Sequence, residues 1–193
     1  MSHFSSISTE IKDLEACKKA LENMGLALEK KGKCRYYYGT EVMENVVKLP
    51  GRYDMALEDM NGTYNIHADF YKGDVEKTIG YRGCTLLKNY GIEMLKKTAK
   101  KMHFSIVQER QNVFKVRDSK DTNGGYMIVT FNEDGSLQFT PKGIKGKNCT
   151  KFLALEDSIG KADKREFLPE YYAAERENIR TTNSKERIKL GGY

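Results

Sequence analysis

YDMALEDMNGTYNIHADF, residues 53–70, carries the clearest structural signal in this sequence. Two alternating apolar and polar runs, 53–58 and 64–70, flank Asn61-Gly62. Alternation sends successive side chains to opposite faces of a strand, and Asn-Gly suits the two positive-φ positions of a type I′ turn. The stretch therefore predicts an antiparallel β-hairpin, and with it a sheet assembled from hairpins.

Other runs rich in Val, Ile, Tyr and Phe lie on both sides of this hairpin, bounded by turn-forming residues, and they predict further strands. The predicted strands before it are 3–11, 26–28, 35–38 and 44–49, with a turn at 30–33. After it, the sequence predicts a second hairpin from 104–107 and 113–116, and a third from 126–131 and 137–140 that turns at 134–135.

Two longer segments have helical periodicity. In the first, 13–24, apolar residues recur at spacings of three and four, Asp13 suits the N-cap and Gly25 suits a left-handed end. The second is 85–103, whose lysines lie largely outside its apolar stripe. A third helix is predicted from Asn148 or Thr150 to Ile159, and a short one beginning at Pro169.

These elements predict an α+β fold, in which an antiparallel hairpin sheet is packed by two main helices and followed by a small ββα unit. The polar, turn-rich segment 118–125 predicts a boundary, which gives domains at 1–118 and 122–178. After Asn178 the chain is polar and poor in apolar residues. This composition predicts a mobile charged tail over 179–193.

Composition narrows the class of protein. The chain has 193 residues, a net charge of +6 and 39% apolar residues, and it contains no apolar run of the roughly 18 residues that a membrane span needs. MSHF, residues 1–4, lacks the basic and apolar regions of a secretory signal. Four scattered cysteines without a CxxC pair predict free thiols. We therefore expect a cytoplasmic protein with no membrane partner.

Two basic patches are candidates for binding phosphate. Residues 88–120 contain nine Lys or Arg against three acids, and 142–151 contain four lysines and no acid. Such patches neutralise phosphates, although a solvated helix face and a lysine-rich loop have the same composition. GIKGK, 143–147, is not a complete phosphate loop, because Pro141 and Asn148 stand where glycine and Ser or Thr are required. The candidate phosphate or nucleic-acid-binding residues are Lys96, Lys97, Lys100, Lys101, Lys142, Lys145 and Lys147.

The hairpin also carries acidic residues and a histidine that suit acid–base chemistry. Asp54, Glu58 and Asp69 are candidates for general acid and general base, and Asp54 and Glu58 share a strand face. His67 and Asp69, two apart on one strand, are candidates for a metal site. A polar solvent-facing hairpin explains the same residues. No readable third or fourth ligand accompanies His67 and Asp69, so we assign no catalytic residue, metal or cofactor.

The N-terminal sheet is rich in aromatic residues. Tyrosines occur at 36–38, 53, 64 and 71, with Phe70 among them, and Arg35, Arg52 and Lys72 stand beside them. Aromatic rings next to cations stack on nucleic-acid bases. Packing within the core and across the hairpins explains these residues more simply.

Five segments carry a family resemblance: MSHFSSI (1–7), IKDLE (11–15), LENMG (21–25), GRYDM (51–55) and ADF (68–70). They resemble the uncharacterised family known as hypothetical chloroplast reading frame thirty-five, found in plastids, cyanobacteria and other bacteria. The resemblance runs from residue 1 to about residue 116.

A second resemblance covers about 122–178, through NEDG (132–135), KGIKGKNC (142–149) and PEYY (169–172). These residues are similar to a small uncharacterised bacterial domain with a hairpin, a Gly-x-x-Gly-Lys-x-Cys motif, a helix and a Pro-Glu-Tyr-Tyr ending. The chain thus looks like a fusion of two families that are commonly separate short chains. Neither resemblance implies a reaction or catalytic residues.

What the resemblance implies is context: such proteins are encoded near AAA+ ATPases, sometimes with small ferredoxin-like proteins. The first hypothesis is therefore a non-enzymatic accessory or adaptor protein that acts with an AAA+ ATPase. The alternative is a nucleic-acid or nucleotide-phosphate binding protein that uses the Lys96–Lys101 and Lys142–Lys151 patches. A small enzyme using Asp54, His67 and Asp69 is the third.

Overall fold

The computed structural model describes residues 4–120, 124–144 and 148–159. These residues fall into two units. The first holds the chain up to Lys97 together with Phe131–Gln138, and the second holds Thr98–Thr130 and the chain from Phe139 onward. Each unit contains an antiparallel sheet and helices, which confirms the predicted α+β class.

The first sheet has five strands in the order β1-β5-β4-β3-β2. The strands are β1 (Phe4–Ile11), β2 (Leu28–Tyr36), β3 (Gly39–Val47), β4 (Met55–Asp59) and β5 (Tyr64–Asp69). The hairpin predicted from 53–70 is confirmed, because β4 and β5 pair in antiparallel register around Asn61 and Gly62, which have φ of 59° and 88°. These positive angles are what an Asn-Gly turn supplies.

The prediction of two short strands and a turn in 26–38 is wrong. β2 is one strand, paired with β3 on both sides of the expected turn, from Lys30 opposite Asn45 to Gly32 opposite Met43. Only Lys31 departs from strand geometry, with φ of 52°. A single left-handed residue bends a strand without ending its pairing. The run of lysine and glycine therefore marks an irregularity inside a long hairpin.

Two helices cover one face of this sheet, as predicted. They are α1 (Leu14–Asn23) and α3 (Cys84–Lys101). Buried Cys17 and Leu21 of α1 and Leu86 and Tyr90 of α3 share a core cluster with buried residues of β4 and β5. The Tyr90 hydroxyl accepts hydrogen bonds from the backbone N–H groups of residues 12 and 13, at 3.1 and 3.3 Å, and so fixes the start of α1 against α3.

The predicted N-cap of α1 is confirmed. An Oδ1 atom of Asp13 accepts a hydrogen bond from the backbone N–H of Ala16 at 3.0 Å, and Asp13 has an extended backbone. Gly25, just past the helix, has φ of 72°, as expected for a left-handed end.

Replacing the cap gives a first testable prediction. We expect Asp13→Ala to lower the free energy of unfolding by about 1 kcal/mol, because the N-terminal N–H groups of the helix lose their acceptor. Asp13→Ser is the matched control, since serine also caps helices but cannot pair with Lys97. Urea denaturation measures both variants. A loss with serine as large as that with alanine would show that the ion pair, not the cap, is responsible.

The connection between β5 and α3 contains structure that the sequence did not predict. It consists of two short 3-10 turns, Tyr71–Gly73 and Tyr81–Gly83, on either side of the one-turn helix α2 (Glu76–Ile79). Each 3-10 turn has a left-handed basic residue at its centre, Lys72 with φ of 58° and Arg82 with φ of 52°. Val75 and Ile79, both buried, anchor the connection in the core.

The second sheet has four strands in the order β6-β7-β8-β9. They are β6 (Phe104–Arg110), β7 (Val113–Asp118), β8 (Tyr126–Phe131) and β9 (Leu137–Lys142), followed by α4 (Asn148–Ile159). The rings of Phe104 and Phe152 lie 4.8 Å apart, so α4 packs on this sheet, as expected for the predicted ββα unit. The hairpin at 104–118 belongs to the same sheet, because β7 pairs with β8.

Some predictions remain untested. The segment 118–125 joins two paired strands, and the division into domains 1–118 and 122–178 stays a prediction. The helix predicted from Pro169 and the tail predicted over 179–193 lie outside the described residues.

Candidate binding site

Two buried aspartates tie the end of β2 to the neighbouring strands. An Oδ2 atom of Asp54 accepts a hydrogen bond from the backbone N–H of Arg35 at 3.1 Å, and an Oδ2 atom of Asp69 accepts one from Tyr37 at 3.0 Å. Residues 35 and 37 alternate along the chain, so their N–H groups point to the same side. The two carboxylates take the place of the carbonyl groups that a neighbouring strand would offer.

Asp54 is the centre of an ionic cluster. Its carboxylate, fully buried, accepts hydrogen bonds from Arg35 Nε at 2.9 Å, Arg35 Nη2 at 2.7 Å, Lys48 Nζ at 3.1 Å and the Leu49 backbone at 3.2 Å. Burial by itself raises the pKa of this carboxyl, but the hydrogen bonds from Arg35 and Lys48 outweigh it and hold the pKa below the usual 3.8. Asp54 is therefore an ionised structural anchor.

Asp69 is also a structural anchor, and its carboxylate binds backbone N–H groups. It is fully buried, and besides Tyr37 it accepts a hydrogen bond from the backbone N–H of Tyr71 at 2.9 Å. It thereby fixes both the turn after β2 and the start of the connection to α3. The oxygens of both aspartates that were candidates for acid–base chemistry are occupied by backbone and side-chain donors.

His67 pairs with a third carboxylate of the hairpin. Its Nε2 atom is 2.5 Å from Glu58 Oε2, across the β4–β5 hairpin. Glu58 is 43% exposed and His67 17%, so the pair is partly exposed. The alternative of a polar solvent-facing hairpin is wrong for Asp54 and Asp69, because both are buried. Within the described ranges, no group of three or more His, Cys, Asp and Glu is placed to hold a metal ion.

Asp69 holds the backbone of two members of a group that we call the tyrosine cluster. The cluster consists of Tyr37, Tyr38, Tyr53 and Tyr71 with Arg52 and Lys72, and of these Tyr53 is buried in the core. Tyr37 and Tyr38 form the two-residue turn between β2 and β3 and are 54% and 56% exposed. Large aromatic rings held in solvent at a turn are typical of recognition surfaces.

Ring contacts link several residues of the tyrosine cluster to their neighbours. The rings of Tyr37 and Tyr71 meet edge to face at 5.3 Å, and Tyr38 stacks on Tyr36 at 6.1 Å. Lys72 Nζ lies 5.3 Å from the Tyr71 ring centre, and the Arg52 guanidinium lies 5.6 Å from that of Tyr53. Cations at these distances are attracted to the ring faces. The edge-to-face contact holds the exposed Tyr37 ring against Tyr71.

The arginine of the tyrosine cluster is paired with a carboxylate. Arg52 Nε lies 2.7 Å from an Asp74 carboxylate oxygen, and Lys77 pairs with the same carboxylate at 3.3 Å. The hydrogen bond to Asp74 is the main reason that the pKa of Arg52 is raised, and Tyr53 and Tyr71 add to it. A paired arginine beside exposed tyrosines suits a protein partner better than a polyanion.

Part of the two lysine patches falls within the described residues. Lys96 pairs with Glu93 at 2.7 Å and Lys97 pairs with Asp13, whereas Lys100, Lys101 and Lys142 are exposed and form no ion pair with another described residue. Lys145 and Lys147 lie outside the described residues, and Lys151 pairs with Asp118. The role of the seven lysines in binding phosphate stays a prediction.

The sequence named these tyrosines but favoured packing as their explanation. Their exposure follows from two features that lie outside local periodicity, namely the turn at Tyr37-Tyr38 and the carboxylate of Asp69 beneath it. A tyrosine pair directly before a strand-starting glycine was the signal that could have indicated a turn.

Comparison with known proteins identifies one part of the chain. Residues 128–172 match the family described as a protein of unknown function (DUF2997). This match supports the second small uncharacterised domain predicted at about 122–178, while the resemblance of residues 1 to about 116 stays a prediction. Comparisons with curated proteins and with solved structures gave no match. Among the described helices, none combines the length and the apolar character needed to cross a membrane.

Proposed function

We propose that this protein is a non-enzymatic accessory or adaptor protein that binds a partner protein through the tyrosine cluster. The observation that carries the proposal is the exposed pair Tyr37 and Tyr38, held on a turn and braced by Tyr71 and the buried Asp69. Tyrosine and arginine are over-represented among the residues that dominate binding energy in protein interfaces.

The fate of the candidate acid–base residues supports binding over catalysis. Asp54 and Asp69 are buried and bonded to backbone N–H groups, and Asp54 is also held by two cations. A general base needs a carboxylate within reach of a substrate proton. Both groups are instead used to close the sheet.

The proposed class of partner is an AAA+ ATPase. The reason is the resemblance of the chain to a fusion of two families whose genes lie near such ATPases. The match at residues 128–172 supports the second half of that fusion.

A photo-crosslinking experiment tests this proposal. A photoreactive phenylalanine analogue at Tyr38 is expected to crosslink to an AAA+ ATPase in cells that carry the native gene. The same analogue at Met60, which is 51% exposed at the β4–β5 turn, serves as the control. With the purified pair, Tyr37→Ala/Tyr38→Ala is expected to weaken binding by about tenfold or more.

The proposal fails if the analogue at Tyr38 captures no ATPase, or if the control position captures it equally well. Tyr37→Phe/Tyr38→Phe keeps the rings and is expected to retain most of the affinity. Both side chains are mostly in solvent, so the variants are expected to fold normally. Circular dichroism of each variant checks that the fold is intact.

Binding of nucleotide phosphate at the lysine patches remains the second candidate. The specific observation in its favour is that Lys100, Lys101 and Lys142 are exposed and form no ion pair with another described residue. Unpaired surface lysines are the form in which a protein offers charge to phosphates.

A further inference from the structure

We propose that the outer face of the second sheet binds single-stranded nucleic acid, with Tyr126 as the stacking surface and Lys115 and Arg117 as the cations beside it. By the outer face we mean the side of the sheet that carries Val107, Lys115, Arg117, Tyr126 and Ile128. This site lies in the second unit and does not depend on the tyrosine cluster.

Alternation along the strands separates the two faces of the sheet. Phe114 and Val116 of β7 and Met127 and Val129 of β8 are buried, which places them on the face toward the core. The residues between them are partly or fully exposed. An antiparallel sheet with one buried and one solvated face produces this pattern.

Cross-strand register brings the outer-face residues together. Lys115 lies opposite Val107 of β6 on one side and opposite Ile128 of β8 on the other. Because Val116 lies opposite Met127, Arg117 and Tyr126 are also neighbours across the same pair of strands. Three adjacent strands thus contribute to one continuous surface.

Two cations meet the same ring. Lys115 Nζ lies 3.9 Å from the Tyr126 ring centre and the Arg117 guanidinium lies 5.5 Å from it. Base stacking on aromatic rings and on guanidinium planes, with cations following the backbone, is how proteins hold single strands. Tyr126 and Arg117 offer both surfaces side by side.

The balance of charge favours a polyanion. Arg117 is exposed and pairs with no carboxylate among the described residues, and Lys115 has only the distant Glu109 oxygen, at 3.7 Å. The tyrosine cluster differs, because Asp74 neutralises its arginine. Apolar Val107 and Ile128 beside the cations add surface for the unstacked bases of a single strand, which a duplex does not expose.

Fluorescence anisotropy with labelled oligouridine and oligodeoxythymidine of about 12 nucleotides tests the proposal on the full chain. We expect binding at low salt that falls steeply between about 50 and 200 mM salt. Tyr126→Ala is expected to weaken binding by about tenfold, and Tyr126→Phe to retain most of it. Arg117→Gln is expected to reduce the salt slope by about 0.7. The RNA and DNA arms show which backbone is preferred.

Arg82→Gln is the matched control, because Arg82 is also exposed and lies over a tyrosine ring, at 6.0 Å, but in the first unit. It is expected to bind like the unaltered protein. Absence of binding to both oligonucleotides at low salt would overturn the proposal. So would tighter binding of a duplex than of a single strand, or a loss caused by Lys100→Gln/Lys101→Gln but not by Tyr126→Ala, which would place the site on the helix lysines.

Discussion

Asp54→Ala is expected to lower the free energy of unfolding by about 3 kcal/mol, a large share of the stability of a domain of this size. The substitution removes the acceptor for two backbone N–H groups, those of Arg35 and Leu49, and the counter-charge of two cations. Arg35 and Lys48 are each about two-fifths exposed, so water recovers part of their charge. The backbone N–H groups of Arg35 and Leu49 lose their acceptor inside the protein, and an unsatisfied N–H group there lowers stability.

The same carboxylate predicts a dependence of stability on pH. Its pKa is lowered in the folded protein, so its contribution is complete above the ordinary pKa of 3.8 and is lost as the pH falls through the lowered folded value. The unaltered protein is therefore expected to lose stability below pH 3.8 more steeply than Asp54→Asn does. Asp13 and Asp118 also have lowered pKa values, so the variant is still expected to lose some stability at acid pH, but less steeply than the unaltered protein.

Urea denaturation at neutral and acid pH measures both effects. Asp74→Ala is the matched control, because Asp74 also pairs with an arginine and a lysine but at the surface. Surface pairs contribute little, so its loss is expected to be small. Equal losses for Asp54→Ala and Asp74→Ala would show that the buried cluster does not anchor β2.

Local pattern predicted the elements whose signals lie within a few residues. The β4–β5 hairpin follows from Asn61-Gly62, and the start of α1 from Asp13, because turn and cap chemistry act at short range. The closure of β2 by Asp54 and Asp69 joins residues 19 and 32 apart, and no periodicity reports such a contact.

The membership of the 104–118 hairpin in the second sheet also depends on contacts between residues distant in the sequence. Each hairpin was visible in the sequence, but the pairing of β7 with β8 depends on which buried faces meet. The neighbourhood of Tyr126 with Lys115 and Arg117 follows from that pairing and was therefore hidden. The turns between β5 and α3 were not predicted because they depend on Lys72 and Arg82 in the left-handed region. Residues other than glycine rarely adopt positive φ, so nothing in the sequence marks these two positions.

Gly80→Ala is expected to cost about 3 kcal/mol of stability, the second large effect. Gly80 ends α2 with φ of 82° and ψ of 166°, a region that only glycine occupies readily. A Cβ atom there would lie 2.4 Å from Thr85 Oγ1 and 2.7 Å from the Thr85 backbone nitrogen. A side chain can move aside, but the backbone nitrogen belongs to the first turn of α3 and cannot do so without shifting the helix.

Gly25→Ala separates the two causes of this loss. Gly25 also has a positive φ, 72°, but an added Cβ would meet nothing within 4 Å. It is expected to cost about 1 kcal/mol, the strain of a left-handed residue alone. Urea denaturation of both variants tests the difference. If Gly80→Ala lowers the free energy of unfolding no more than Gly25→Ala does, the backbone between β5 and α3 moves to accommodate the new methyl group. The close packing of Gly80 on α3 would then not be what holds residues 71–83 in place.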